Sequence, residues 1–66
     1  MSVAKVSEIS STSTESFDDA VTRGVARANK TLHGITGAWV NEMKVEVEDG
    51  KIVAYLNLKV TFILKD

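Results

Sequence analysis

The sequence predicts an α+β fold with the order β-α-β-β, in which a three-stranded antiparallel sheet packs on one helix and the last strand is central. Three observations predict it. From Leu56 onward, apolar and polar residues alternate as in a strand with one buried face. An apolar stripe with three- and four-residue spacing follows Ser16, and Asp49-Gly50 is a typical hairpin turn. We expect residues 1–66 to form one domain.

The first element is a moderately exposed strand over Val3 to Ile9, where β-branched and polar residues mix. The stretch that follows, Ser10 to Ser16, is rich in Ser and Thr. Their side chains bond readily to nearby backbone groups and favour turns and caps. We therefore expect this stretch to be a loop between the strand and the helix, with an ordinary connection length.

The helix is expected to begin after Ser16, because the Ser hydroxyl can accept hydrogen bonds from early backbone N–H groups, and Asp18 and Asp19 favour the positive end of the helix dipole. About eighteen residues fit this helix. Its apolar stripe consists of Phe17, Ala20, Val21, Gly24, Val25, Ala28 and Leu32. The small residues among them allow close approach to a sheet. Gly34 is the expected left-handed stop, and His33 before it suits a helix C-terminus better than a catalytic role.

The second strand covers Gly37 to Val47 and alternates imperfectly. Its apolar residues lie on two faces, with Ala38 and Val40 on one and Met43, Val45 and Val47 on the other. Either a bulge near Asn41 to Met43 or a strand that buries different faces at its two ends explains this pattern. Glu48-Asp49-Gly50 then forms the hairpin turn.

The third strand, Lys51 to Lys65, is the most apolar, and we place it in the middle of the sheet. One face carries Leu56, Leu58, Val60, Phe62 and Leu64, and the other carries Asn57, Lys59 and Thr61. About thirteen strand residues span about 43 Å, whereas a helix of about eighteen residues spans about 27 Å. One helix leaves apolar surface uncovered, so we expect further copies of this short chain to cover it.

Composition disfavours several classes of protein. Eight Lys and Arg nearly balance nine Asp and Glu without forming a block, which disfavours nucleic-acid binding. We expect no membrane partner and a cytoplasmic location, because no apolar run approaches the ~20 residues of a membrane span and no signal-peptide pattern opens the chain. We also expect no enzyme, since there is no cysteine, no phosphate-binding loop, and no evident partner for His33.

Trp39 is the strongest candidate for a binding residue, because its indole offers a flat π surface and one N–H donor outside the helical stripe. Two uses stay open. It can fill a core or interface gap, or it can stack on a planar heterocycle, which adds roughly 0.5 to 1.5 kcal/mol beyond area burial. The acids Glu46, Glu48 and Asp49 could attract a cation, although their spacing is not that of a calcium loop.

An ordered set of short segments spans almost the whole chain: Lys5-Val6, Glu8-Ile9, Thr12-Ser13, Ser16 with Asp19-Ala20-Val21, Ala26-Arg27-Ala28, Lys30-Thr31-Leu32, Glu48-Asp49-Gly50-Lys51, and Lys59-Val60 with Phe62. In this set the chain resembles the dodecins, small cytoplasmic flavin-binding proteins. The resemblance implies a hollow homo-dodecamer that binds FMN or riboflavin, stores it and protects it from photochemistry. It also implies a flavin ring stacked on a strand-two tryptophan, with a polar strand-three side chain at the ring edge.

Two departures from the family pattern concern this site. An ungapped match from Thr31 to Gly50 places the usual tryptophan position on Gly37, and Trp39 follows two residues later, on the same face of a strand. The last strand is one residue short before Lys59 and lacks the usual glutamine. If the hairpin absorbs the difference, Tyr55 takes that position and shares a face with Asn57. If the gap is next to Tyr55, this residue turns to the opposite face.

The resemblance therefore makes Trp39, Tyr55, Asn57 and Gly37 the candidate flavin-binding residues. The alternative function is a dodecin-like shell without flavin, which would be a structural oligomer or would bind a cation or another small molecule. The two differ in whether Trp39 faces a cavity or a packed interface.

Overall fold

The computed structural model describes residues 3–64 and has the predicted order of elements. Strand β1 spans Val3–Ser13, helix α1 spans Phe17–Ala28, β2 spans Ile35–Glu48 and β3 spans Lys51–Leu64. β3 lies between β1 and β2 and pairs antiparallel with both. The predicted fold class and the central position of the last strand are confirmed.

The helix packs on β1 and β3, and the core lies between these three elements. Alternate side chains of β3 point toward the helix and are buried, namely Ala54, Leu56, Leu58, Val60 and Phe62. The side chains between them, including Asn57 and Thr61, are half-buried on the other side of the sheet. We call this side, away from α1, the open face. Its separation from the core follows directly from the two-residue period of the strand.

The first strand is longer than predicted, because it continues through the Ser and Thr residues to Ser13. The prediction of a loop over Ser10 to Ser16 was therefore wrong for Ser10 to Ser13, which belong to β1. β3 provides the reason, since it extends far enough to pair Ser10 with Asn57 and Ser13 with Ala54. The hydroxyls serve contacts with the helix, as Ser11 Oγ donates to the backbone oxygen of Ala20 at 2.7 Å.

The start of the helix is confirmed and its length is not. Ser16 is the N-cap, and its Oγ accepts the Asp19 backbone N–H at 2.9 Å. The helix has 12 residues instead of about eighteen, because it ends at Ala28. Asn29 and Thr31 are weaker helix formers, and Leu32 packs against the core from the segment that follows the helix.

Gly34 has the predicted left-handed conformation, with a φ of 75°, but it does not end the helix. It lies instead at the entry to β2, where its backbone oxygen accepts the N–H of Ile63 at 3.0 Å. A Cβ at this position would come within 3.3 Å of the Ile63 backbone oxygen. The glycine therefore serves the junction with β3.

The imperfect alternation of β2 is caused by a bulge. The pairing with β3 shifts between Val40 and Glu42, which leaves Asn41 without a cross-strand partner. A second shift lies between Ile35 and Gly37. The bulge puts the apolar residues before and after it on the helix side of the sheet. At the end of β2, Asp49 and Gly50 form the predicted hairpin turn, with φ angles of 50° and 77°.

Helix α1 does not cover β2, so the helix side of that strand carries exposed apolar residues. We call this surface the β2 strip; it consists of Val40, Met43, Val45, Val47 and, from β3, Ile52, which are 49% to 66% exposed. In residues 3–64, no helix has the length and apolarity required to cross a bilayer.

Candidate ligand-binding site

Trp39 lies on the open face of the sheet. Directly paired residues on neighbouring strands point to the same side. Trp39 pairs with Lys59 and Gly37 pairs with Thr61, so both β2 residues share the face of Asn57. The two candidate stacking positions are thus on one surface, about 7 Å apart along the strand.

The Trp39 indole is 68% exposed, although it is a large and mainly apolar side chain. It borders a shallow hollow of about 320 Å³, which Thr36, Gly37, Ala38 and Thr61 also line. A Cβ added at Gly37 would meet no atom within 4 Å, and the φ of Gly37 is not positive. The backbone therefore does not require glycine here, and the lack of a side chain leaves room beside the indole.

Tyr55 shares the open face with Asn57. The β1–β3 pairing runs without a shift from Val3 to Ser13, so β3 does not slip next to Tyr55. Of the two registers that the sequence left open, the structure has the one that keeps both side chains on one face. The Tyr55 hydroxyl lies 3.0 Å from Ser10 Oγ, and Lys44 Nζ lies 4.7 Å from the centre of its ring.

Asn57 joins all three strands through side-chain hydrogen bonds. Its Oδ1 accepts from Asn41 Nδ2 at 3.0 Å, and its Nδ2 donates to Glu8 Oε2 at 3.5 Å. Neither Asn41 nor Glu8 was a candidate for this site from the sequence alone. The signals were present, because Asn41 begins the segment in which a bulge was one explanation, and Glu8 alternates with the helix-facing residues of β1.

The open face is thus more polar toward the hairpin than at the opposite end of the strands. The indole of Trp39 lies between two different surroundings: the linked amides of Asn41 and Asn57 toward the hairpin, and the hollow at Gly37 and Thr61 on the other side. A planar ring against Trp39 would find hydrogen-bonding groups at one end and small side chains at the other. This arrangement suits a flat heterocycle that is polar at one end.

Two other features of the structure are weaker candidates for a binding site. A larger hollow of about 460 Å³ lies between α1 and β1, near Gly24, Arg27 and Leu32, but it contains no aromatic ring and none of the predicted site residues. The hairpin acids predicted as a possible cation site do not converge. Within residues 3–64, no group of three or more His, Cys, Asp or Glu side chains is placed to hold a metal ion.

Comparison with known proteins gives one family. The family model described as Dodecin matches residues 3–65. Among solved structures, dodecin from Streptomyces davaonensis is 33% identical, with 98% of this chain and 97% of that chain covered and a TM-score of 0.92. Dodecin from Streptomyces coelicolor is 30% identical, with 98% and 94% covered and a TM-score of 0.92. No curated protein matches the chain.

The description of a third similar structure mentions calcium binding. It is the calcium chelating immunodominant antigen of Mycobacterium tuberculosis, a calcium dodecin with a novel calcium-binding site. It is 34% identical, with 96% of this chain and 91% of that chain covered and a TM-score of 0.86. The fold is therefore found both in proteins described as dodecins and in one described as a calcium dodecin.

Proposed function

The chain belongs to the dodecin family, and on this basis we propose that it is a self-assembling flavin-binding protein and not an enzyme. The ligand is FMN or riboflavin, which the protein stores and shields from photochemistry. The observation that carries this proposal is the exposed indole of Trp39 on a sheet face that α1 leaves uncovered.

Trp39 is the proposed stacking surface. A tryptophan side chain usually buries most of its area, so a partner that covers this indole would remove apolar surface from water. Offset stacking with a flat ring adds roughly 0.5 to 1.5 kcal/mol to that burial. The hollow at Gly37 gives the ring room to extend beyond the indole.

The polar end of the ring is assigned to Asn57 or Tyr55. Both side chains share the face of Trp39, but their surroundings differ. The Tyr55 hydroxyl is within hydrogen-bond distance of Ser10, and its ring contacts Lys44. Asn57 is nearer to Trp39 along β3, because it lies two residues from Lys59, the direct partner of Trp39. We therefore favour Asn57 as the edge contact.

The β2 strip supports the proposed self-association. This apolar surface lies beside α1 and is not covered by it. A chain of 66 residues has only a small core, so burial of the strip against another copy would add a large share of its hydrophobic stabilisation. We propose a homo-oligomer, with the dodecamer of the family as its form.

A titration of flavin fluorescence tests the flavin proposal. Ligand-stripped protein is added to riboflavin and, separately, to FMN, and quenching is recorded for the wild type, Trp39→Phe and Trp39→Leu. We expect strong quenching by the wild type, weaker binding by the phenylalanine variant and at least a tenfold loss of affinity in the leucine variant. Ala26→Leu, at an exposed position of α1 outside both the open face and the β2 strip, is the control.

Sedimentation or light scattering gives the mass of each protein in the same experiment. We expect twelve times the chain mass of 7.2 kDa. An assembly of that mass that quenches neither flavin would reject the flavin proposal and favour the shell without flavin. A calcium titration in parallel would separate a cation-binding shell from a purely structural one.

A further inference from the structure

The end of the open face that lies farthest from the hairpin is mainly apolar. Directly paired residues form rows across an antiparallel sheet, and the side chains of one row lie on the same face. The row of Val6, Thr61 and Gly37 is followed by Ala4 paired with Ile63. None of these residues carries a charge, and Val6 is 48% exposed. This end therefore offers a ligand apolar contact and few hydrogen bonds.

The opposite end of the same face is polar. Toward the hairpin, Ser10 pairs with Asn57, and Lys44 pairs with Tyr55. The hydroxyl, amide and ammonium groups of these side chains all form hydrogen bonds. Because Trp39 lies between the two ends, a flat ring on its indole would have one end over polar groups and the other end over the apolar rows.

A flavin ring has the same division. Its pyrimidine end carries two carbonyl oxygens and the N3–H group, whereas its benzenoid end carries two methyl groups and no hydrogen-bonding group. Burial of polar groups without hydrogen bonds is unfavourable, and burial of methyl groups is favourable. The orientation that matches the two divisions puts the pyrimidine end toward the hairpin and the two methyl groups toward Gly37.

Gly37 controls the space at that end of the ring. It lies two residues, or about 7 Å, along β2 from Trp39. A Cβ built on Gly37 would meet no atom within 4 Å, and its φ is not positive, so a larger residue would fit this backbone. The lack of a side chain keeps open the hollow of about 320 Å³ that Trp39 and Thr61 also line. A side chain at this position would stand in the hollow beside the indole.

We infer that Gly37 is a specificity-determining residue: the hollow takes the benzenoid end of the flavin, and the missing side chain admits flavins with groups larger than methyl at that end. A branched side chain in place of Gly37 would close the hollow and restrict the site to flavins that are small there. This inference rests on the proposed flavin function and adds the orientation of the ring and the class of flavins that the site accepts.

Riboflavin and 7,8-diethylriboflavin are the probes that test it. Binding is followed by the quenching of Trp39, the only tryptophan of the chain. For the wild type, we expect the two dissociation constants to agree within about threefold, because the hollow has room for the ethyl groups. In Gly37→Val, we expect the affinity for the diethyl compound to fall at least about tenfold more than the affinity for riboflavin. Gly37→Ala should show a smaller loss in the same direction.

Ala26→Val is the matched control. It adds apolar atoms at an exposed position of α1, away from the open face, and should leave the ratio of the two affinities unchanged. Sedimentation and thermal unfolding are recorded for each variant. If Gly37→Val fails to fold or assemble, the comparison of Gly37→Ala with the wild type decides.

N3-methylriboflavin tests the orientation, because it is enlarged at the pyrimidine end. If Gly37→Val discriminates against this compound and not against the diethyl compound, the pyrimidine end occupies the hollow and the inference is overturned. Equal losses for all three flavins would also overturn it, as would a wild type that binds the diethyl compound about tenfold more weakly than riboflavin. A wild type that binds none of the three flavins would reject the proposed function, and this inference with it.

Discussion

Ser13 Oγ donates a 2.6 Å hydrogen bond to Asp19 Oδ2, which ties the last residue of β1 to the first turn of α1. The same hydroxyl oxygen accepts the backbone N–H groups of Glu15 and Ser16, at 2.9 and 3.3 Å. Arg23 completes the group with a 2.6 Å ion pair to Asp19. Ser13 is only 7% exposed, so this buried hydroxyl shapes the whole strand-to-helix connection.

Removal of the Ser13 hydroxyl should therefore destabilise the fold. We expect Ser13→Ala to lower the free energy of unfolding by roughly 1 to 3 kcal/mol, because the connection loses buried hydrogen bonds. Urea unfolding followed by circular dichroism measures the change. Thr14→Ala, at the exposed neighbouring position, is the control and should stay within about 0.5 kcal/mol of the wild type. Equal losses in both variants would contradict a special role for Ser13.

The same connection should make stability depend on pH in the acid range. The hydrogen bond from Ser13, and then Arg23, lower the pKa of the Asp19 carboxyl below its usual value of 3.8. A lowered pKa in the folded state gives a stabilisation that is complete above 3.8 and is lost as the pH falls through the lowered value. Asp19→Asn should flatten the stability profile below pH 3.8, and Asp18→Asn should not. Unfolding midpoints measured across that range in the three proteins provide the test.

Gly24 should not tolerate alanine, although alanine is the better helix former. A Cβ at Gly24 would lie 3.0 Å from Leu58 Cδ1 and 3.1 Å from Ser11 Cβ. Because Leu58 is fully buried, we expect the crowding to exceed the gain of about 1 kcal/mol in helix propensity, with a net loss of roughly 1 to 2 kcal/mol. Ala26→Gly, at an exposed position of α1, measures how much helix propensity alone changes the free energy of unfolding. A Gly24→Ala protein more stable than the wild type would show that the helix can shift.

Gly34 and Gly37 should respond differently to substitution. Gly34 has a positive φ and lies near the Ile63 backbone, so Gly34→Ala should cost roughly 1 to 2 kcal/mol. At Gly37, by contrast, the added atoms meet nothing, and Gly37→Thr should leave stability unchanged or raise it by up to about 1 kcal/mol. Thermal unfolding of the ligand-free proteins compares the two. A smaller assembly in Gly37→Thr would show that a second copy fills the hollow beside Trp39.

A charge on the β2 strip should disrupt self-association. Val45 is half-exposed on the helix side of β2, and we expect Val45→Glu to shift the measured mass toward the monomer, because a buried unpaired charge is strongly unfavourable. Glu46→Lys changes the charge of the next residue, which points to the open face, and should keep the assembly. Analytical ultracentrifugation distinguishes these outcomes, and an intact Val45→Glu assembly would show that the strip is not an interface.

The sequence contained the local part of this fold. The two-residue period of β3 indicates a strand with one buried face, and the apolar excess of that strand indicates its central place. The Ser16 cap, the small residues that face the sheet and the Asp49-Gly50 turn each follow from the chemistry of a few neighbouring residues. Such features depend on contacts within about one turn of helix or one hairpin, so they can be predicted without the tertiary structure.

The tertiary structure decided where elements end and which side chains meet. β1 continues to Ser13 because β3 provides pairing partners more than forty positions away, and α1 ends early where Leu32 turns back to the core. The face of Tyr55 depends on where the pairing shifts, and the contacts of Asn57 with Asn41 and Glu8 require all three strands. The sequence by itself determined the order of the elements and identified Trp39 as the candidate binding residue. The register between distant strands, which no local pattern contains, decided the rest of the site.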